Sequence, residues 1–291
     1  MSQQPRTVLF TGHGGVTLTA DVYGDKDAPP VVLLHGGGQT RHAWGGTAAR
    51  LADAGFQALT LDLRGHGESD WAPDGDYSMD AFMADLMAVA ASFETPPSVA
   101  GASMGGMTAL LAAGEGSDAD PAISSLILVD VAPTLEPEGV LRILEFMTAM
   151  PDGFSSLEEV ADLVSGYMPH RPRPKDLNGL RKNLRLGEDG RYRWHWDPAF
   201  LSPERHASNA DRPTRLLDAA HALTIPTLLV RGRMSDVVSE EGVAEFLAAA
   251  PHAEFVDVAD AGHMVAGDRN DVFTDAVVGF LERHASADVS C

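Results

Sequence analysis

The feature that most constrains this chain is a repeated pairing. A short apolar run bounded by turn residues is followed by a longer segment with apolar residues at helical spacing. The runs "PPVVLLHGGG" (29–38), "QALTLDL" (57–63), "PSVAGAS" (97–103), "ISSLILVDV" (123–131), "PTLLVRGR" (226–233) and "AEFVDVAD" (253–260) have the length and continuity of strands buried on both faces. Helical patterns are expected near 44–55, 78–93, 104–114 and 270–284. Strands that alternate with helices build βαβ units, so the expected fold class is α/β. It is a mostly parallel sheet of about eight strands with helices on both faces. The first strands form a hairpin within 7–23 about the turn "GHGG".

The rhythm breaks between about 133 and 215. "GVLRILEFMTAM" and "SSLEEVADLVSGYM" are helical in pattern, and Ser155 with Glu158, or Ser156 with Glu159, offers a capping box for the second. The expected organisation is a core in two parts, 1–132 and 216–291, with a largely helical cap or lid at 133–215 inserted after strand six, over the carboxyl ends of the strands.

Composition removes several classes of function. The single cysteine, Cys291, excludes an intramolecular disulfide and a thiolate metal cluster. A net charge of −21 from 42 acidic and 21 basic residues opposes a phosphate-backbone partner. No run approaches the roughly 18 apolar residues of a membrane helix. "MSQQPRTVLF" lacks the basic start and apolar core of a secretion signal, so the expected location is cytoplasmic. Neither a phosphate-binding glycine loop nor a zinc-ligand spacing is present.

Within this frame, Gly101-Ala102-Ser103-Met104-Gly105 matches G-x-S-x-G at a strand-to-helix turn, the context in which a serine hydroxyl stands exposed as a nucleophile. The five-residue pattern alone is weak, and its place between a strand and a helix raises it. A nucleophilic serine needs a base, an orienting acid and oxyanion donors. His263 in "DAGHMVAGD" follows the last strand and is the expected base. Asp236 in "RGRMSDVVS" is the expected acid, in the chain order Ser, Asp, His; Asp130, ending "LILVDV", is its competitor. The backbone amides of Gly37, in "HGGG", and Met104 are the expected oxyanion donors, with Gly38 as an alternative. His35 and His66 are read as braces for their loops, and His170 and His195 as groups able to touch substrate. Gly38, Trp44, Phe146, Met147, Met150, Phe154, Met168, Trp194 and Trp196 are candidates for the wall of an apolar substrate cavity.

"HGGG", "DLRGHGESD", "GASMGG", "RGRMSD" and "AGHM", in this order across roughly 7–284, resemble the α/β-hydrolase superfamily, in its branch with a helical cap. Ser103 stands where epoxide hydrolases and haloalkane dehalogenases carry Asp, so the resemblance implies a serine hydrolase, foremost a carboxylesterase acting on small or aromatic esters through an acyl-enzyme. Cofactor-free haloperoxidase-like perhydrolases and meta-cleavage C–C hydrolases share "GASMGG"; the latter usually have Trp after the catalytic histidine, whereas Met264 follows His263 here. A non-catalytic ligand-binding member is the remaining alternative. The esterase reading requires no metal or cofactor, and its expected partner is a small-molecule ester met by a monomer or homodimer.

Overall fold

The computed structural model of the chain describes residues 4–116, 121–168, 173, 176–202, 211–259, 261–263 and 271–285. Its centre is an eight-stranded sheet. The strands are β1 (Arg6–Thr11), β2 (Thr17–Tyr23), β3 (Pro30–Leu34), β4 (Gln57–Leu61), β5 (Ser98–Ala102), β6 (Ser125–Val129), β9 (Thr227–Gly232) and β10 (Glu254–Val258). Their order is β1-β2-β4-β3-β5-β6-β9-β10. Only β2 runs against its neighbours β1 and β4; every other pairing is parallel. The expected α/β class, mostly parallel sheet and opening hairpin are therefore present.

Side-chain alternation along each strand divides the core into two layers. In β3, Val32 and Leu34 face the layer that also holds Phe82, Leu110 and Leu111, while Val31 and Leu33 face the layer of Trp44, Leu51, Phe273 and Phe280. The first layer contains α2 (Met79–Ala90) and α3 (Met104–Gly114). The second contains α1 (Gly45–Asp53) and part of the C-terminal helix spanning Asp271–Ala285. Each helix covers one apolar face of a sheet that would otherwise be wetted on both sides.

Between β6 and β9 lie α4 (Pro137–Thr148), α5 (Leu157–Tyr167), a small antiparallel hairpin of β7 (Leu184–Leu186) and β8 (Tyr192–Trp194), and α6 (Arg212–His221). The Ser156 hydroxyl caps α5 by accepting from the Glu159 N–H at 3.3 Å, and the Glu159 carboxylate accepts from the Ser155 N–H at 2.7 Å. The hairpin is an addition to the largely helical segment expected from the sequence. Its turn, Gly187–Gly190, carries φ of +75° at Gly190, which a glycine adopts without steric cost. An aromatic seam ties these pieces together: Phe146 of α4 stacks on Tyr167 of α5 with centroids 4.3 Å apart, and Trp194 of β8 lies 5.4 Å from Phe146. Among the described residues, no helix is long and apolar enough to cross a membrane.

Candidate active site

Parallel strands align their carboxyl ends on one edge, and the loops leaving β3, β5, β6 and β10 supply the groups that meet there. Ser103 follows β5 directly. Its backbone, at φ 48° and ψ −114°, is a conformation that costs a non-glycine residue about 1–3 kcal/mol. Small neighbours make this bend possible. A Cβ on Gly101 would lie 2.4 Å from the Gly105 backbone, one on Gly105 2.6 Å from the Leu34 side chain, and one on Gly106 2.4 Å from Val131. The strain is held by the start of α3, where Met107 N–H donates to the Ser103 carbonyl at 2.9 Å.

His263 follows β10, and its Nδ1 is 2.6 Å from Oδ2 of Asp130. A carboxylate only accepts, so the proton of the neutral ring sits on Nδ1 and Nε2 carries the lone pair. Asp130 follows β6, is fully buried and has φ of +49°. Its Oδ1 accepts from the Gly232 N–H at 3.0 Å, and Oδ2 also accepts from the Ser235 hydroxyl at 2.6 Å. Gly232 lets the loop before His263 pass closely, since a Cβ there would meet the Gly262 carbonyl at 2.5 Å.

Asp236 is corrected by this geometry. Its carboxylate is 41% exposed and pairs with Arg142 of α4, not with His263. The neighbouring Ser235 is what the segment "RGRMSD" contributes: it donates to Asp130 while its oxygen accepts from the N–H groups of Val237 and Val238, both at 3.2 Å. Ser235 was missed because a serine one residue before an acid carries no distinguishing sequence signal.

The loop after β3 passes over Ser103 and is braced by three histidines. His35 donates from Nδ1 to the Gly36 carbonyl at 2.8 Å and accepts at Nε2 from the Leu63 N–H at 3.0 Å. His66 Nε2 accepts from the Gly38 N–H at 3.2 Å, and the Gly38 carbonyl lies 3.3 Å from His195 Nε2. The Gly38 amide is thus spent, whereas no described residue accepts from the Gly37 N–H. Gly38 has φ of +75°, and a Cβ there would crowd Met147 and Trp196.

His195 belongs to this scaffold rather than to the cavity wall. Its Nδ1 accepts from the Gly67 N–H at 2.7 Å. Burial, reinforced by nearby His35, lowers its pKa from 6.5 to about 3. The unfolded chain therefore takes up this proton first. The stability that neutral His195 contributes is complete above about pH 6.5 and is lost toward pH 3, at roughly 1.4 kcal/mol per pH unit. Thermal unfolding between about pH 6.5 and 5 should show a Tm that falls with acid, and less steeply in His195→Gln. Equal slopes would mean that the folded protein protonates His195 freely.

A cavity of about 460 Å³ opens over Ser103, with Met104, Gly37, Gly38 and His263 on its floor. Phe146, Met147, Met168 and Trp194 line it as expected from sequence, and Tyr167, Phe200 and Arg212 line it without having been anticipated. Four wall candidates lie elsewhere. Trp44 is fully buried on the opposite layer of the sheet, 6.0 Å from Phe273. Trp196 stacks behind Trp194 at 4.9 Å. Met150 is 42% exposed past the end of α4, in a turn with φ of +57°. Phe154 is buried edge-on to Trp194 at 5.2 Å and supports the wall without reaching the cavity. His170 lies outside the described residues.

The "Alpha/beta hydrolase family" model matches residues 31–276. The chain is 32% identical over 266 residues to the esterase Rv0045c of Mycobacterium tuberculosis, covering 88% of this chain and 83% of that protein. It is 29% identical to a 3-hydroxybutyrate-oligomer hydrolase of Cupriavidus necator, over 83% of this chain and 85% of the other. Among solved structures, an alpha/beta hydrolase from Novosphingobium aromaticivorans superposes with a TM-score of 0.79 at 26% identity, covering 97% of this chain and 99% of the other. A structure of Rv0045c superposes with a TM-score of 0.73 at 29% identity, covering 97% and 93%. The chain belongs to the alpha/beta hydrolase family.

Proposed function

We propose that this chain hydrolyses small carboxylic esters through an acyl-enzyme formed on Ser103. The observation that carries this reading is the buried Asp130–His263 pair, 2.6 Å apart, which opens on the same cavity as Ser103 at its strained bend. The similarity to proteins named as an esterase and an oligomer hydrolase supports ester cleavage.

In this mechanism His263 Nε2 takes the Ser103 proton as Oγ attacks the ester carbonyl. Asp130 holds the imidazole in its Nδ1–H tautomer and stabilises the imidazolium that forms. The Gly37 and Met104 amides donate to the tetrahedral oxyanion. Protonation of the alkoxide by His263 releases the alcohol. Water, deprotonated by the same histidine, then attacks the acyl-serine, and the acid leaves. Ser235 acts through Asp130 by fixing the carboxylate's orientation. A cavity of about 460 Å³ lies at the small end of ligand sites and favours short or aromatic acyl groups over polymers.

Hydrolysis of p-nitrophenyl esters from acetate to decanoate by wild type and Ser103→Ala tests the reading. Wild type should show activity that peaks at short acyl chains, and the variant should lose at least about 10³-fold in kcat. Ester hydrolysis retained by clean Ser103→Ala protein would remove Ser103 from the nucleophile's role.

A further inference from the structure

The chain carries 42 acidic against 21 basic residues, yet among the described residues lining the cavity there is no carboxylate. Two permanent cations line it instead, Arg212 and Lys182. Lys182 is exposed, whereas Arg212, opening α6, is half-buried.

Arg212 differs from the other buried or half-buried arginines described. Arg64 donates to Asp85 at 2.6 and 2.7 Å, and Arg41 to Asp62 and Glu68 at 2.5 Å each. Arg215 pairs with Glu115 and Asp80, Arg191 donates to the carbonyls of Asp152 and Gly153, and Arg231 to the carbonyl of Val238. No described carboxylate or carbonyl accepts from Arg212. Burial alone acts on its ionisation and lowers its pKa. In a chain this rich in acids, a half-buried guanidinium facing a cavity without a partner is an expensive arrangement, because partial desolvation is not offset by an ion pair. An anion entering the cavity would supply that partner.

We infer that the cavity selects esters bearing a carboxylate, which Arg212 receives as a charge-assisted, two-pronged pair while the ester carbonyl lies at Ser103. The planar fork of a guanidinium matches a carboxylate, and one such group neutralises one guanidinium. Phe146, Met147 and Trp194 supply an apolar stretch of wall that suits the carbon chain between the two polar ends. The substrate class is therefore a monoester of a dicarboxylic acid, or an ester whose acyl part otherwise ends in a carboxylate. This inference rests on the esterase reading and specifies its substrate.

The test compares mono-p-nitrophenyl esters of glutaric to suberic acid with p-nitrophenyl pentanoate to octanoate. These acyl chains match in length and differ by a terminal carboxylate. At the best length, the ratio of kcat/KM for the acidic over the neutral ester should fall about 30-fold in Arg212→Met, mainly through KM. That change corresponds to about 2 kcal/mol at 1.4 kcal/mol per decade. Arg212→Lys should retain part of the preference. An unchanged ratio in Arg212→Met overturns the inference, as does an equal loss on both ester series.

A second readout is independent of turnover. Calorimetric titration of adipate into Ser103→Ala should show binding that weakens at least about tenfold when Arg212→Met is added. Equal affinities overturn the inference. Hydrolysis that survives in Ser103→Ala would defeat the esterase mechanism, and the adipate titration would still decide the role of Arg212.

Discussion

Asp130→Asn should lower kcat for an activated ester by about 10⁴-fold while leaving the fold in place. The carboxylate accepts from His263 Nδ1, the Gly232 N–H and the Ser235 hydroxyl. An amide in its place turns one acceptor into a donor. If that donor meets the imidazole, Nδ1 must accept, the ring proton moves to Nε2, and the lone pair needed for Ser103 is gone. Asp236→Asn, which breaks only a surface pair with Arg142, should change kcat less than about threefold, because exposed ion pairs contribute little. Steady-state kinetics of the two variants, with circular dichroism as a check on folding, separates the assignments. A large loss in Asp236→Asn with a small one in Asp130→Asn would return the acid to Asp236.

The second large effect should be on stability. Arg41 lies just beyond the glycine loop after β3 and is almost entirely buried, as is Asp62 after β4. The carboxylate of Asp62 accepts from the Arg41 guanidinium at 2.5 Å, the Arg41 N–H at 2.6 Å and the Glu68 N–H at 2.9 Å. Arg41→Met removes the countercharge while Asp62 stays buried, and an uncompensated charge of this kind costs about 3–5 kcal/mol. Urea unfolding should show that loss in Arg41→Met. Arg41→Met combined with Asp62→Asn should recover part of it, because Asp62 then carries no charge and only Asp21, which Arg41 also meets at 3.0 Å, stays buried without its cation. A loss below about 1 kcal/mol in the single variant would mean that water reaches Asp62.

Much of the fold was legible because its signals are local. Continuous apolar runs such as "PVVLL" and "SLILV" can be satisfied only inside a sheet covered on both faces, and the small residues around Ser103 announce a bend that no larger side chain permits. The acid was harder to read. Asp130 and Asp236 each follow a strand, and the choice between them depends on which side chain turns toward a loop more than a hundred residues distant from one of them. The folded geometry sets Asp130, and not Asp236, 2.6 Å from His263, and the positive φ of Asp130 leaves no mark in the sequence.

Trp44 failed for a related reason. Proximity to the oxyanion loop along the chain does not say on which face of the sheet the next helix lands. Arg212 was invisible because an arginine with no partner among the described residues is defined by what does not surround it. "LGEDGRYRW" did carry a hairpin signal in its glycine-bounded turn, but its two strands are only three residues each.

The bracing of Gly38 also ties a longer stretch of chain to the sheet. The segment after β8 is fastened to the core: His195 accepts from Gly67, the Asp197 N–H donates to the Gly65 carbonyl at 2.9 Å, and the Tyr77 hydroxyl donates to the Asp197 carboxylate at 2.6 Å. Phe200 sits edge-on to His66 at 4.7 Å, beside Tyr77 and Phe82. Lifting this segment would break the His195 contact with the Gly38 carbonyl in the loop after β3. Residues 195–201 therefore form a fixed sill at the base of the cavity, tied to the core through Gly65, Gly67 and Tyr77.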